Sequence, residues 1–155
     1  MISGEVRLGV GARKLADAGP EQLTPVAFDF VIGHAIVGAS YGASKLHGAS
    51  VTITEVSGGL HLATSYEPYA PRAFAEGGVA ANLVSVSVPD PDPDAEPGDR
   101  LGESYTLLNA FAGAGAEFSV GTLSLGVLLR YNATVSSSDI DVDGAFVGAY
   151  AGIQF

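Results

Sequence analysis

The sequence predicts an all-β fold, an eight-stranded antiparallel up-and-down transmembrane β-barrel, and three observations carry that prediction. Apolar residues alternate with small or polar ones over about eight segments, the period-two signature of strands whose successive side chains point to opposite faces. The connections between segments are by turns short and long. Charged residues make up only 15% of the 155 residues and apolar ones 47%, whereas a wetted globular surface needs about a quarter charged.

The first segment runs from Gly4 to Arg13, with Val6, Leu8, Val10 and Ala12 on one parity and Glu5, Arg7, Gly9, Gly11 and Arg13 on the other. After 16–25 comes Val26, Phe28, Phe30 and Ile32 against Ala27, Asp29 and Val31. Gly33 and His34 form a tight turn into Ala35, Val37, Ala39 and Tyr41, opposed by Ile36, Gly38, Ser40 and Gly42, and this segment ends near 45–49. The fourth, about 50–65, places Val56, Gly58, Leu60 and Leu62 against Glu55, Ser57, Gly59, His61 and Ala63. Its start puts Val51 and Ile53 on the polar parity, which calls for either a β-bulge or a strand end projecting above the bilayer.

The fifth segment alternates Ala73, Ala75, Gly77, Val79, Ala81 and Leu83 with Arg72, Phe74, Glu76, Gly78, Ala80 and Asn82. Proline cannot donate to a ladder, so the acidic stretch 89–104 (PDPDPDAEPGDRLGES) reads as a loop. Leu108 to Ser119 is the sixth segment, a Gly121-Thr122 turn leads into the seventh from Leu123 to Ala133, and 136–143 is the last loop. The final dozen residues, GAFVGAYAGIQF, split into Ala145, Val147, Ala149, Ala151, Ile153 and Phe155 against Gly144, Phe146, Gly148, Tyr150, Gly152 and Gln154. With that strand ending at the periplasm, every long link falls on the outer side.

Length fits one domain, residues 1–155. No cysteine is present, which removes disulfides, zinc–thiolate sites and cysteine nucleophiles. A net charge of −10 with seven basic residues excludes a nucleic-acid stripe. No apolar run reaches the length of a transmembrane helix. The N-terminal MISGEVRLGV lacks a secretory signal, so the expectation is that one was removed or that the start is misplaced; on this point alone a cytoplasmic protein stays open.

A soluble barrel of lipocalin type would show the same alternation with the faces exchanged. Its outer parity would then be dense in charge. Here the polar parity is mostly Gly and Ser with isolated charges and bulky Phe74, Phe111, Phe146 and Tyr150, which suits a narrow interior where small residues make room for large ones. The other parity is Ala, Val, Leu, Ile and Phe in strand after strand, as lipid requires.

The stretches 69–81 (YAPRAFAEGGVAA) and 109–131 (NAFAGAGAEFSVGTLSLGVLLRY) and the terminal GAYAGIQF resemble strands of small eight-stranded outer-membrane β-barrel proteins, the porin-family or outer-membrane-protein β-barrel domain. The resemblance covers nearly the whole chain but its motifs are architectural. It implies a Gram-negative outer-membrane location, a structural or surface-interaction role, and a C-terminal assembly signal at Tyr150, Ile153 and Phe155 read by the barrel-assembly machinery. It also implies outer-membrane lipids and lipopolysaccharide as surroundings, a monomer, and no cofactor.

Candidates for specific chemistry are the inward charges Arg7, Asp29, Glu55, His61, Arg72, Glu76, Glu117 and Arg130. Charges confined in a small barrel must be paired or wetted, and Glu117 and Arg130 lie on neighbouring strands. A structural network plugging the lumen is the leading reading; a narrow porin-like channel is the alternative. An enzyme acting on lipid A would need a convergent triad. Ser57, His61 and Ser65 with Glu55 supply the residue types, but they stack along one strand and the His-x-Ser-Asn pattern of lipid A deacylases is missing. His34 and His47 read as solvated. Asp90, Asp92, Asp94, Glu96 and Asp99, with Asp139, Asp141 and Asp143, only partly echo a calcium loop and read as solvated, self-repelling surface loops; no metal site is expected.

Overall fold

The computed structural model describes residues 4–15, 21–46, 48–65, 71–89, 100–136 and 142–155. These form β1 (Gly4–Leu15), β2 (Val26–Ile32), β3 (Ala35–Leu46), β4 (Ala49–Ala63), β5 (Arg72–Pro89), β6 (Arg100–Val120), β7 (Leu123–Thr134) and β8 (Gly144–Gln154). Every strand pairs antiparallel with its sequence neighbours, and β1 pairs with β8 from Glu5 opposite Gln154 to Leu15 opposite Gly144. The sheet therefore closes in sequence order. Closure pairs every strand on both sides through the body of the barrel, which is the condition for placing strands in hydrocarbon, while the far ends of β3 beyond Tyr41 and of β6 before Asn109 pair as strands on one side alone.

The turns follow from their glycines. Gly33 and Gly121 open the two-residue links β2–β3 and β6–β7 with φ of 56° and 63°, the left-handed geometry that matches the twist of a tight hairpin. Those two turns, the strand ends flanking the β4–β5 link, Gly4 and Phe155 lie at one end of the barrel. The β1–β2, β3–β4, β5–β6 and β7–β8 links lie at the other.

Parity is translated directly into inside and outside. Outward apolar side chains such as Leu8, Val37, Leu60, Val79, Leu125 and Val147 are each more than half exposed, up to 65% at Val79. Such a belt far exceeds the apolar patches that soluble monomers expose, so it is the lipid-facing band of a membrane-spanning barrel. Inward glycines leave room for rings. A Cβ on Gly126 would run into the Tyr150 ring, and one on Gly115 would run into the Phe74 ring.

One expectation changes and one open choice narrows. Pro89 and residues 100–104, expected as loop, are strand: β5 ends at Pro89, opposite Arg100 where β6 begins, and the two pair continuously. The rest of that acidic stretch, 90–99, lies outside the described residues. The register around β4 is also uninterrupted from Leu46 opposite Ala49 onward, so no bulge is present. Val51 and Ile53 instead point into the barrel and pack with Leu15, Leu23, Val84, Leu107 and Val142 in one buried apolar cluster. Outside that cluster stand Thr52, Thr54, Ser85, Ser104 and Thr106. The physical reason is an inversion of surroundings: above the lipid the outer wall meets water, so the apolar parity moves inside.

Candidate functional site: the charged lumen

At the floor, Arg72 on β5 stands directly opposite Glu117 on β6, and the two hydrogen-bond. Arg72 also donates to Glu5 on β1 at 3.1 Å, and Arg7 donates to Glu5 at 3.0 Å and to Glu117 at 3.2 Å. Glu117 further accepts from Tyr150 Oη at 2.5 Å, Ser119 Oγ at 3.2 Å and Gln154 Nε2 at 3.1 Å. Two carboxylates are thus held by two guanidinium groups and neutral donors, the pairing that buried charge requires, while Arg7 Nε and Arg72 Nε have no hydrogen-bond partner among the described residues. The Arg7 guanidinium also lies over the Phe74 and Tyr150 rings at 5.0 and 4.6 Å.

Higher in the lumen His61 links two halves of the network. Its Nε2 is 3.4 Å from Arg7, and its Nδ1 faces Glu76 Oε2 at 3.9 Å, the residue opposite it on β5. Glu76 Oε1 accepts from Arg130 Nε at 2.8 Å and Nη2 at 2.5 Å. Arg130 approaches Glu55 at 3.6 Å and sits 4.5 Å over the Phe111 ring. Glu55 is bound in turn by Arg13 at 3.1 Å, whose second nitrogen donates to the Val142 carbonyl at 3.1 Å. Hydrogen bonds and ion pairs therefore run from Gln154 through Glu117 and Arg7 to His61, and from Glu76 through Arg130, Glu55 and Arg13 to Val142; between the two runs His61 Nδ1 and Glu76 Oε2 face each other at 3.9 Å, neither with a hydrogen-bond partner among the described residues. Directly above lies the apolar cluster capped by Leu23 and Val142.

Little open space remains along this axis. A cavity of about 40 Å³ borders Glu5, His61, Arg72 and Gln154 at the floor. Another of about 30 Å³ borders Arg13, Asp29, Ser40, Glu55 and Arg130. Each has room for about one to three water molecules.

All eight candidate charges project into the lumen, and seven join the network. Asp29 is half-buried and lines the 30 Å³ cavity beside Arg130 with no ion pair among the described residues. Glu117 and Arg130 do not touch. The register puts Gly126 opposite Glu117 and Gly113 opposite Arg130, and the two are joined only through Arg7, His61 and Glu76. Residues missed as candidates are Glu5, Arg13, Asn82, Asn109 and Asn132, all buried. Their inward parity was the available signal. His61 engages Arg7, Glu76 and, at 4.9 Å, the Phe74 ring. His34 is exposed in its turn, and Asp143 accepts from the Thr134 backbone at 2.5 Å. His47, the acidic cluster 90–99, Asp139 and Asp141 lie outside the described residues.

At the C-terminus, Ile153 and Phe155 face outward, 61% and 68% exposed, while Tyr150 points inward. Phe155 stacks on Phe30 at 5.9 Å between centroids.

Neither a family model nor a curated protein sequence matches the chain. Solved structures do. Neisserial surface protein A superposes with a TM-score of 0.67 at 11% identity, over 99% of this chain and 97% of that one. A major outer membrane protein of Thermus thermophilus gives 0.65 at 13% identity over 100% of both. The chain has the fold of the eight-stranded outer-membrane β-barrels. The N-terminal β-barrel domain of Pseudomonas aeruginosa OprF adds a TM-score of 0.55 at 15% identity, over 99% and 97%. At such identities an outer-membrane-type barrel shares its architecture with these proteins, and its activity has to be argued from its own lumen and wall.

Proposed function

We propose that the protein is a bacterial outer-membrane barrel with a structural or surface-interaction role, its lumen closed by its own side chains. The observation that carries this reading is the stack of buried charged side chains between Gln154 and Val142, with an apolar cluster above it and cavities of only about 40 and 30 Å³ beside it. An eight-stranded barrel has an interior just wide enough for side chains to fill, and here arginines and aromatic rings fill it. The ring nitrogens of His61 face Arg7 and Glu76, and among the described residues no serine hydroxyl is hydrogen-bonded to them, so a non-enzymatic role fits best. Outer-membrane lipids and lipopolysaccharide surround the monomeric barrel, and the barrel-assembly machinery reads its last strand.

The reading is tested by fractionation and by permeability together. The protein should co-purify with outer membranes, migrate differently on gels before and after boiling, and leave proteoliposomes impermeable to small sugars. A monomer that stays soluble without detergent, or sugar-permeable liposomes, would overturn it.

A further inference from the structure

The chain has seven basic residues, and their placement is uneven. Arg7, Arg13, Arg72 and Arg130 are buried in the lumen. The other three, Lys14, Lys45 and Arg100, are exposed on the outer wall, all toward the end that carries the long links. Two of them converge. Lys45 on β3 is the register partner of Ser50 on β4, which pairs with Ser87 on β5. Arg100 on β6 reaches back onto the same row, donating from Nη2 to Ser50 Oγ at 3.1 Å and to the Ser87 carbonyl at 2.8 Å, and from Nε to Ser87 Oγ at 2.8 Å.

From these contacts we propose that the outer wall of β3–β6, just above the lipid band, binds the phosphate of an anionic lipid headgroup through Lys45 and Arg100. The rows beneath the cations give the site its depth. The row Ala39, Val56, Ala81, Leu108 is wholly apolar; the next, Tyr41, Thr54, Leu83, Thr106, is mixed; the third, Ala43, Thr52, Ser85, Ser104, carries hydroxyls, with Ser85 and Ser104 bonded at 3.0 Å. Rows two residues apart rise about 5 Å along the membrane normal for strands tilted near 40°. The hydroxyls therefore stand about 5 Å, and the cations about 10 Å, above the Tyr41 row, within and at the upper limit of a headgroup layer about 5–8 Å thick.

Its chemistry suits a phosphate. Arg100 is exposed and held in place by three hydrogen bonds through Nε and Nη2, with no hydrogen bond at Nη1 among the described residues, so little further freedom is lost when an anion docks. Lys45 adds a second positive charge, and the hydroxyls below donate to remaining phosphate oxygens. Among the described residues no ion pair engages either cation. The source is a lipid and not free phosphate: a chain with net charge −10 repels small anions, whereas a lipid lying against Val56 and Ala81 presents its headgroup at high effective concentration. The proposal rests on the membrane-spanning barrel but not on the closed lumen.

The test is a titration of the folded barrel in detergent, read by native mass spectrometry. The ligand is dioleoyl phosphatidic acid, compared with dioleoylglycerol, which has the same chains and no phosphate. Wild type should bind phosphatidic acid in preference; Lys45→Gln/Arg100→Gln should weaken that binding on the order of tenfold, and Lys14→Gln should leave it unchanged. An unshifted affinity in the double variant, or an equal loss in Lys14→Gln, overturns the site. Competition by inorganic phosphate at the same concentration as the lipid overturns the lipid as its source. The shift in gel mobility on boiling, read on every variant, reports the barrel itself, so failure of the fold and failure of the site are told apart.

Discussion

Arg72 and Glu117 stand face to face on β5 and β6 and hydrogen-bond across the floor of the barrel, although 45 residues separate them. Glu117 is the hub of that floor, because it also receives Arg7, Tyr150, Ser119 and Gln154. Glu117→Gln leaves two buried guanidinium groups sharing Glu5. It should cost about 3–5 kcal/mol in denaturant unfolding of the detergent-folded barrel, and adding Arg7→Gln should restore part of the loss by removing one unpaired charge. Strictly additive losses would show that the floor is not a coupled unit.

The band should resist charge on one face only. Leu125→Arg and Ala112→Arg place a cation in lipid at a cost of about 2–4 kcal/mol near the bilayer midplane. Ser40→Lys faces the cavity lined by Asp29 and Glu55, where an ammonium finds partners. Ser124 is a poor lumenal control, since it is fully buried and bonded to Glu5. Equal loss of inserted protein for the Ser40 and Leu125 variants would contradict the assignment of faces.

The apolar cap behaves as a small soluble core on top of the membrane barrel. Leu107 is 2% exposed within it, so Leu107→Ala should cost about 2–5 kcal/mol by leaving a cavity. Leu108→Ala, one residue on and facing lipid, should cost far less because acyl chains fill the space. Unfolding midpoints of the two variants in one detergent decide the point; indistinguishable midpoints would dissolve the cap.

Phe155 closes the barrel against the first residue of β1. Gly4 and Phe155 exchange two backbone hydrogen bonds of 2.9 Å, and the ring lies where a Cβ on Gly4 would sit, 2.5 Å from Cε2. Deleting Phe155 removes one ladder pair of a long seam, so stability of refolded barrel should fall little. If the terminal aromatic is also read during biogenesis, folded barrel in cells should fall several-fold more. Unchanged amounts in cells would remove the assembly role.

Much of this architecture was legible because the alternation that makes Leu8, Val79 and Leu125 outward also makes Arg7, Glu76 and Arg130 inward. What the pattern hid was register. The long links β1–β2, β4–β5 and β5–β6 give no count of the stagger, so Arg72 opposite Glu117 and His61 opposite Glu76 could not be written down in advance. Glu117 and Arg130 looked adjacent on neighbouring strands, yet Arg130 lies four residues beyond Glu117's partner Gly126, roughly 13 Å along the strand. Arg100 to Ser104 were read as loop for a related reason. Where strands leave the lipid the sides exchange, so Leu107 inward and Ser104 outward break the parity rule that identified the rest.

Single-channel recording in planar bilayers tests the central claim most directly. With Arg7, His61, Glu76, Arg130 and Glu55 bridging the lumen beneath the apolar cap, the unmodified barrel should insert without steady conductance at ordinary salt, and inserted protein should be verified by its boiled and unboiled mobility from the same membranes. Sustained large conductance from that verified barrel would mean that water and ions pass the network, and the closed lumen would be contradicted.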